Sequence, residues 1–300
     1  MTAGADHLRT RSDGGRAAEY PPPPEPLAVA VYDNHTHLEI ADGALPLTAH
    51  EHLERAASVG VAGAVQVGTD VATSRWSAEI ASREPRLLAA VALHPNEAPE
   101  LEARGELDAA IAVIDELAAE PRVRAVGETG LDFYRTGGDG RDAQFRSFEA
   151  HIEIAKRHGI ALQIHDRDAH DEVVATLRRA GAPDTTIFHC FSGGEDLARL
   201  AGDAGWYCSF AGNVTFKNAG NLRDALRVVP RDRILVETDA PYLTPVPLRG
   251  RPNAPYLVPH TMRFMADALG ADLDELCAQV ADNTERAYGS WADGLEAGSA

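Results

Sequence analysis

Four histidines and two acids carry most of the chemistry open to this chain. His35 and His37 stand two apart in Asp33-Asn34-His35-Thr36-His37, and Glu128 lies in Gly127-Glu128-Thr129-Gly130. His165 follows Gln163-Ile164, His189 opens His189-Cys190-Phe191-Ser192-Gly193, and Asp239 ends Glu237-Thr238-Asp239 before Ala240-Pro241. Imidazole and carboxylate donors without thiolate suit Zn, Mn or Mg and argue against a cysteine-built structural zinc site. A carboxylate can bridge two cations. Six such groups meeting in one place are expected to form a metal site, and a two-metal site in particular.

Taken singly, each group has a plainer explanation. A lone His-x-His is more often two solvated histidines, an acid among glycines a turn residue, and a buried histidine a satisfied core group. An acid before proline is more often a helix cap or turn. Their positions change the balance, because every segment closes an apolar, β-branched run and so places its donor at the C-terminal end of an expected strand. His35 and His37, two apart, point to one side of theirs. Asp33 upstream could hold an imidazole N–H, whereas Cys190, next to His189, should face away and pack.

Strands are expected at 29–32, 61–67, 87–93, 123–127, 160–164, 185–188, 206–210 and 234–237. Amphipathic helices fill the intervals at 49–58, 73–83, 107–119, 142–158, 169–180, 196–204 and 221–228, with two more at 255–269 and 273–288. Eight βα units with strands too apolar to face water predict an α/β chain, its parallel sheet covered by helices and closed as a (β/α)8 TIM barrel. An open doubly wound sheet is the alternative, but no glycine-rich dinucleotide turn follows the first strand. In a barrel, the ends of strands 1, 4, 5, 6 and 8 share one mouth.

Residues 1–27 are polar and end in Pro21-Pro22-Pro23-Pro24-Glu25-Pro26, which reads as a disordered proline-rich arm with no core face. Residues 28–290 form one barrel domain, and 291–300 a C-terminal tail. The 300 residues hold three scattered cysteines, which suits a reducing cytoplasm. There is no apolar h-region of a secretory signal and no membrane span. The formal charge of −18 excludes a protein that coats a long duplex. It says little about a deep pocket, whose carboxylates bound cations would offset. Nothing calls for an obligate protein partner. Softer candidates lie in βα loops: His94 in Leu93-His94-Pro95-Asn96, Arg167 and Arg251 could contact a phosphate or leaving group.

Six ordered motifs across residues 31–288 resemble the TatD-type metal-dependent deoxyribonucleases, an amidohydrolase-like barrel family. They are Asp-x-His-x-His-Leu at 33–38, His-Pro at 94–95, Gly-Glu-x-Gly-Leu-Asp at 127–132, Ile-His-x-Arg-Asp-Ala at 164–169, His-Cys-Phe-Ser-Gly at 189–193 and Glu-Thr-Asp-Ala-Pro-Tyr-Leu at 237–243. The resemblance implies two divalent metals, one held by His35, His37, Glu128 and Asp239, the other by Glu128, His165 and His189. Two positions depart from the family pattern. Asn96 stands where the family often has histidine, and Ala254 where an acid is usual. Both bear on substrate contacts.

The resulting expectation is a metal-dependent hydrolase, a probable exodeoxyribonuclease by resemblance, that cleaves single-stranded DNA or short oligonucleotides from the 3′ end. Asp239 would serve as metal ligand and general base, with Glu128 as the bridge. The alternative is a hydrolase of a small ester, lactone or amide on the same barrel. A non-catalytic metal-binding scaffold is a third reading, opposed by the complete donor set.

Overall fold

The computed structural model describes residues 7–11 and 18–293. Eight parallel strands form one sheet in sequence order: β1 Val31–Thr36, β2 Val61–Val67, β3 Leu87–Val91, β4 Val123–Asp132, β5 Ala161–Arg167, β6 Thr186–Phe188, β7 Tyr207–Phe210 and β8 Ile234–Val236. Helices occupy the crossovers, as the eight βα units predicted. A short helix at Ala98–Ala103 adds to the expected set. Alternation along the strands divides the apolar residues between two cores. Val65, Val67, Leu88, Ala90, Ala125, Ala161, Ile187 and Leu235 fill the barrel interior. Their neighbours, among them Leu87, Ala89, Leu162, Phe188 and Val236, pack beneath the helices. The same parity continues past the strand ends, so that Ala161 predicts the inward side of His165, Ile187 that of His189, and Leu235 that of Asp239.

The seam between β1 and β8 is closed largely by side chains. Among the described residues a single ladder bridge, Thr36 with Ala240, spans it. Asn34 Nδ2 donates to Val236 O and to Ser209 Oγ, each at 2.7 Å. Asp33 Oδ1 accepts from the Thr238 N–H at 2.8 Å, and Asp33 Oδ2 from the Thr238 hydroxyl. Asp33 therefore fastens the seam and holds no imidazole. Backbone bonds from Asp239 N to His35 O (3.0 Å) and His37 N to Ala240 O (2.8 Å) complete the closure.

Two terminal segments behave differently from the expectation. The described part of the proline-rich arm lies on the barrel, with Leu27 only 6% exposed. A polyproline strand has no internal hydrogen bonds, so its carbonyls are available to donors elsewhere. Pro21 O accepts from Tyr256 Oη, Glu25 O from Arg263 and Glu19 O from Arg251. Earlier still, Arg9–Thr10 pairs in parallel with Ile40–Ala41 as a two-stranded ribbon. At the other terminus, Trp291 is buried and stacks on Tyr32 with ring centroids 4.1 Å apart. It plugs the bottom of the barrel instead of starting a tail. The rest of the expected tail, 294–300, lies outside the described residues.

Candidate metal centre

The six predicted donors converge at the C-terminal mouth of the barrel, around Glu128. Two local features aim it there. The β4–β5 register breaks between Val126 and Thr129, and such irregularities re-aim side chains near functional sites. Glycines on either side let β5 come close: a Cβ on Gly127 would sit 2.4 Å from Gln163 Cβ, and one on Gly130 (φ +139°) 2.1 Å from His165 O. Glu128 Oε1 lies 2.6 Å from His165 Nδ1, 2.9 Å from His189 Nε2 and 3.4 Å from His94 Nε2. Oε2 faces the other way, 3.7 Å from His35 Nε2 and 3.8 Å from His37 Nε2. Asp239, at φ +53°, brings Oδ1 to 3.6 Å from His37 Nε2 and 4.0 Å from His35 Nε2.

Three sets of donor atoms lie within 4.8 Å of one another: His35, His37 and Glu128; His35, His189 and Asp239; and His94, Glu128 and His165. His189 thus falls in one set with the first-strand side, although its Nε2 also reaches Glu128. The ring orientations suit cations. His37 Nδ1 donates to Val67 O at 3.0 Å, and His189 Nδ1 to Glu237 Oε1 at 3.2 Å, so Nε2 carries the lone pair in each neutral ring. Asp132 Oδ2, 3.3 Å from His165 Nε2, leaves His165 Nδ1 facing Glu128. His35 Nε2 and His37 Nε2 face each other at 3.2 Å, a pairing that needs a shared proton or a cation.

Electrostatics agree with that demand. Burial, with the neighbouring His189 and His37, holds His35 well below the usual imidazole range. Burial alone would raise Glu128, but His189, His94 and the bond from His165 together hold it well below the usual carboxylate range. Burial opposes protonation of His189, yet Glu128 and Glu237 push it well above an ordinary imidazole. Cations would replace such protons, since ligation requires deprotonated donors.

A cavity of about 460 Å³ opens over this cluster, lined by His37, His94, Glu128, Asp132, His165, Arg167 and Asp239 among others. His94 and Arg167 therefore stand where substrate contacts were expected. The Asn96 N–H donates to His94 Nδ1 at 3.1 Å, which leaves Nε2 as the protonated nitrogen aimed at Glu128. Burial lowers the pKa of His94, which favours the neutral ring. Arg251 does not line this cavity; its Nε donates to Glu19 O at 2.8 Å, which assigns it to the arm. Cys190 does not follow strand alternation, because β6 ends before it and the residue turns at φ +40°. Its thiol accepts from Asn213 Nδ2 at 3.7 Å, burial, then Asp239 and Glu237, push its pKa well up, and it belongs to none of the three donor sets.

Sequence reasoning passed over Asp132 and Glu237, which orient His165 and His189. Both belong to motifs already singled out, and Glu237 has the inward parity of Leu235. It also overlooked Arg9, Thr10 and Tyr242, which line the cavity.

A parallel eight-stranded barrel with nitrogen and oxygen donors gathered at its C-terminal mouth defines a metal-dependent hydrolase barrel. The chain belongs to the TatD family: the model for "TatD related DNase" matches residues 32–289. An uncharacterized metal-dependent hydrolase TatD of Mycobacterium tuberculosis is 44% identical over 86% of this chain and 97% of its own length. A 3′-5′ ssDNA/RNA exonuclease TatD of Salmonella typhimurium is 33% identical over 78% of this chain and 90% of its own. Among solved structures, YJJV, a TatD homologue of Escherichia coli K12, superposes with a TM-score of 0.76 at 25% identity, covering 87% of this chain and 98% of that one. No helix among the described residues is long and apolar enough to cross a membrane.

Proposed function

We propose that this metal-dependent hydrolase cleaves phosphodiester bonds of single-stranded nucleic acid from the 3′ end, using two divalent cations. The observation that carries the reading is the placement of Glu128, whose two oxygens face two different groups of imidazoles. One cation would be held by His35, His37, Glu128 and Asp239, the other by Glu128, His165 and His189. When bound, Mg, Mn or Zn ions supply an acidified water and stabilise negative charge on phosphoryl oxygens. Asp239 lines the cavity and serves as the base that takes the water's proton. His94 presents a neutral Nε2–H, and Arg167 a guanidinium, to the oxygens of the phosphate. Asp132 and Glu237 keep His165 and His189 in their ligating tautomers.

A cavity of this size admits a strand end more readily than an intact duplex, and the acidic chain favours local gripping over coating. Polarity follows the name of the Salmonella relative, which also extends the expected substrate from DNA to RNA. The test is a metal-reconstituted screen of 5′-labelled single-stranded DNA, duplex DNA and RNA alongside neutral esters, with Glu128→Ala as control. Progressive shortening of the labelled single strand is expected. Intact oligonucleotides together with turnover of an ester would overturn the reading in favour of small-ester hydrolysis.

A further inference from the structure

The segment Leu8–Arg11 lies outside the family match, which begins at residue 32. The mycobacterial relative is already matched over 97% of its length, so little of it is left to form a counterpart. In this chain the segment is fastened beside the metal centre. Leu8 N and Arg9 N both donate to Glu39 O, at 3.0 and 3.3 Å, and Arg11 N donates to Ala41 O at 3.4 Å. Glu39 and Ile40 follow the His37 donor by only two and three residues, so the ribbon sits against the β1 side of the mouth. Arg9 and Thr10 line the same cavity as His37, Glu128 and Asp239.

Arg9 is held but not used up. Its Nη2 donates to the buried Glu39 Oε1 at 2.8 Å and to Thr69 Oγ1 at 3.2 Å. Among the described residues these are its hydrogen-bond partners, and both engage Nη2. The remaining face, Nη1 and Nε, keeps its donors, and 39% of the side chain is exposed. A guanidinium pinned at one nitrogen and open at the others has already lost much of its rotamer freedom, the usual cost of gripping an oxyanion. Arg11 braces the neighbouring wall. It donates to Pro241 O at 3.0 Å and lies over the Tyr242 ring, 5.0 Å from its centroid.

We propose that the Leu8–Arg11 segment is a substrate-binding element added outside the family match, in which Arg9 supplies a cation for a phosphate of the bound strand. The proposal rests on the nucleic-acid reading of the site for its natural ligand, but the contact itself is to a phosphate oxyanion. Arg9 adds a third cation to the Arg135 and Arg167 that already line the cavity. It stands on the β1 side, whereas those two follow β4 and end β5, so a strand end would be gripped from both sides of the metal centre.

The test uses the full-length, metal-loaded protein with Arg9→Ala, Arg9→Gln and Arg9→Lys. Binding of thymidine 5′-monophosphate is measured by calorimetry and cleavage of a single-stranded oligonucleotide by steady-state kinetics. Arg9→Ala and Arg9→Gln are expected to weaken mononucleotide binding about tenfold and to raise KM similarly, with kcat within about twofold, as for loss of one charged contact. Arg9→Lys should recover most of the loss, and the salt dependence of binding should flatten by about one phosphate contact in Arg9→Gln. Binding and KM within twofold of wild type in Arg9→Gln would overturn the proposal. So would an equal loss in Arg9→Lys, or a loss accompanied by reduced metal content, since either makes the residue structural. Arg9-dependent mononucleotide binding by a wild-type protein that cleaves no oligonucleotide would sustain the proposal and remove the nuclease reading.

Discussion

The two sides of Glu128 are built in different ways. On one side His35, His37 and Asp239 stand at the β1–β8 seam, where a single ladder bridge is supplemented by Asp33, Asn34 and backbone bonds. His35 is fully buried there, stacked on His189 with centroids 3.9 Å apart, and among the described residues no hydrogen bond reaches its Nδ1. On the other side His94 and His165 rise from β3 and from the long β4–β5 ladder, which pairs residues as far as Asp132 with Arg167. Their side chains remain 16% exposed and look into the cavity. The more deeply buried seam histidines, His35 and His37, suit a permanently held cation, whereas His94 and His165, with Asp239 at a similar 15% exposure, face the cavity that would receive substrate. A barrel can thus combine a rigid anchor and an accessible working face within one carboxylate's reach.

Substitutions that erase the difference should have the largest effects. Glu128→Ala removes the group common to both sides, and kcat/KM is expected to fall by at least about 10³-fold, more than the loss of one oriented donor costs. Elemental analysis should show metal lost from both sides; retention of two ions per chain would break the bridging model. Asp239→Asn acts on the seam alone. With His35, His37 and Glu128 intact, metal content should persist while kcat drops about 10²–10⁴-fold, as for removal of a general base. Unchanged turnover would take Asp239 out of the proton transfer. Asp132→Asn acts on the ladder side, where it should weaken metal affinity about 10–100-fold by releasing His165. A chelator titration should then show one weakened site and one unaffected; two weakened sites would mean that the halves are not independent.

Much of this difference could be read from the chain, and the unread part has physical causes. The eight strands and their order follow from the apolar runs, and the six donors from the acid or histidine that closes the first, fourth, fifth, sixth and eighth of them; parity carries inward from Ala161, Ile187 and Leu235 to His165, His189 and Asp239. Parity failed where the register breaks, and Glu128 occupies such a break. It also failed at Cys190, where the strand has already ended. The roles of Asp33 and Asp132 were hidden because each bonds to a partner remote in sequence, Thr238 in one case and His165 in the other. The docking of residues 18–27 was hidden for a related reason: composition shows that Pro21–Pro26 cannot build a core, but not that Tyr256 and Arg263 offer donors to carbonyls there.

The smallest expected effects come from the two arginines that sequence alone treated as equals. Arg167 ends β5 on the ladder side, lines the cavity and lies 3.9 Å from the centroid of the Tyr134 ring. Stacked there, its guanidinium is held in position while its edge remains able to bond a phosphate. Arg251 belongs to the loop after β8 on the seam side, and donates to the arm carbonyl of Glu19. Arg167→Ala should therefore raise KM for a single-stranded oligonucleotide about tenfold, the cost of one charged hydrogen bond, with little change in kcat. Arg251→Ala should leave KM within about twofold and lower stability by about 1 kcal/mol, read as a shifted denaturation midpoint. The reverse pattern, with KM moved by Arg251 and not by Arg167, would remove the ladder-side grip and leave the strand end held from the seam side alone.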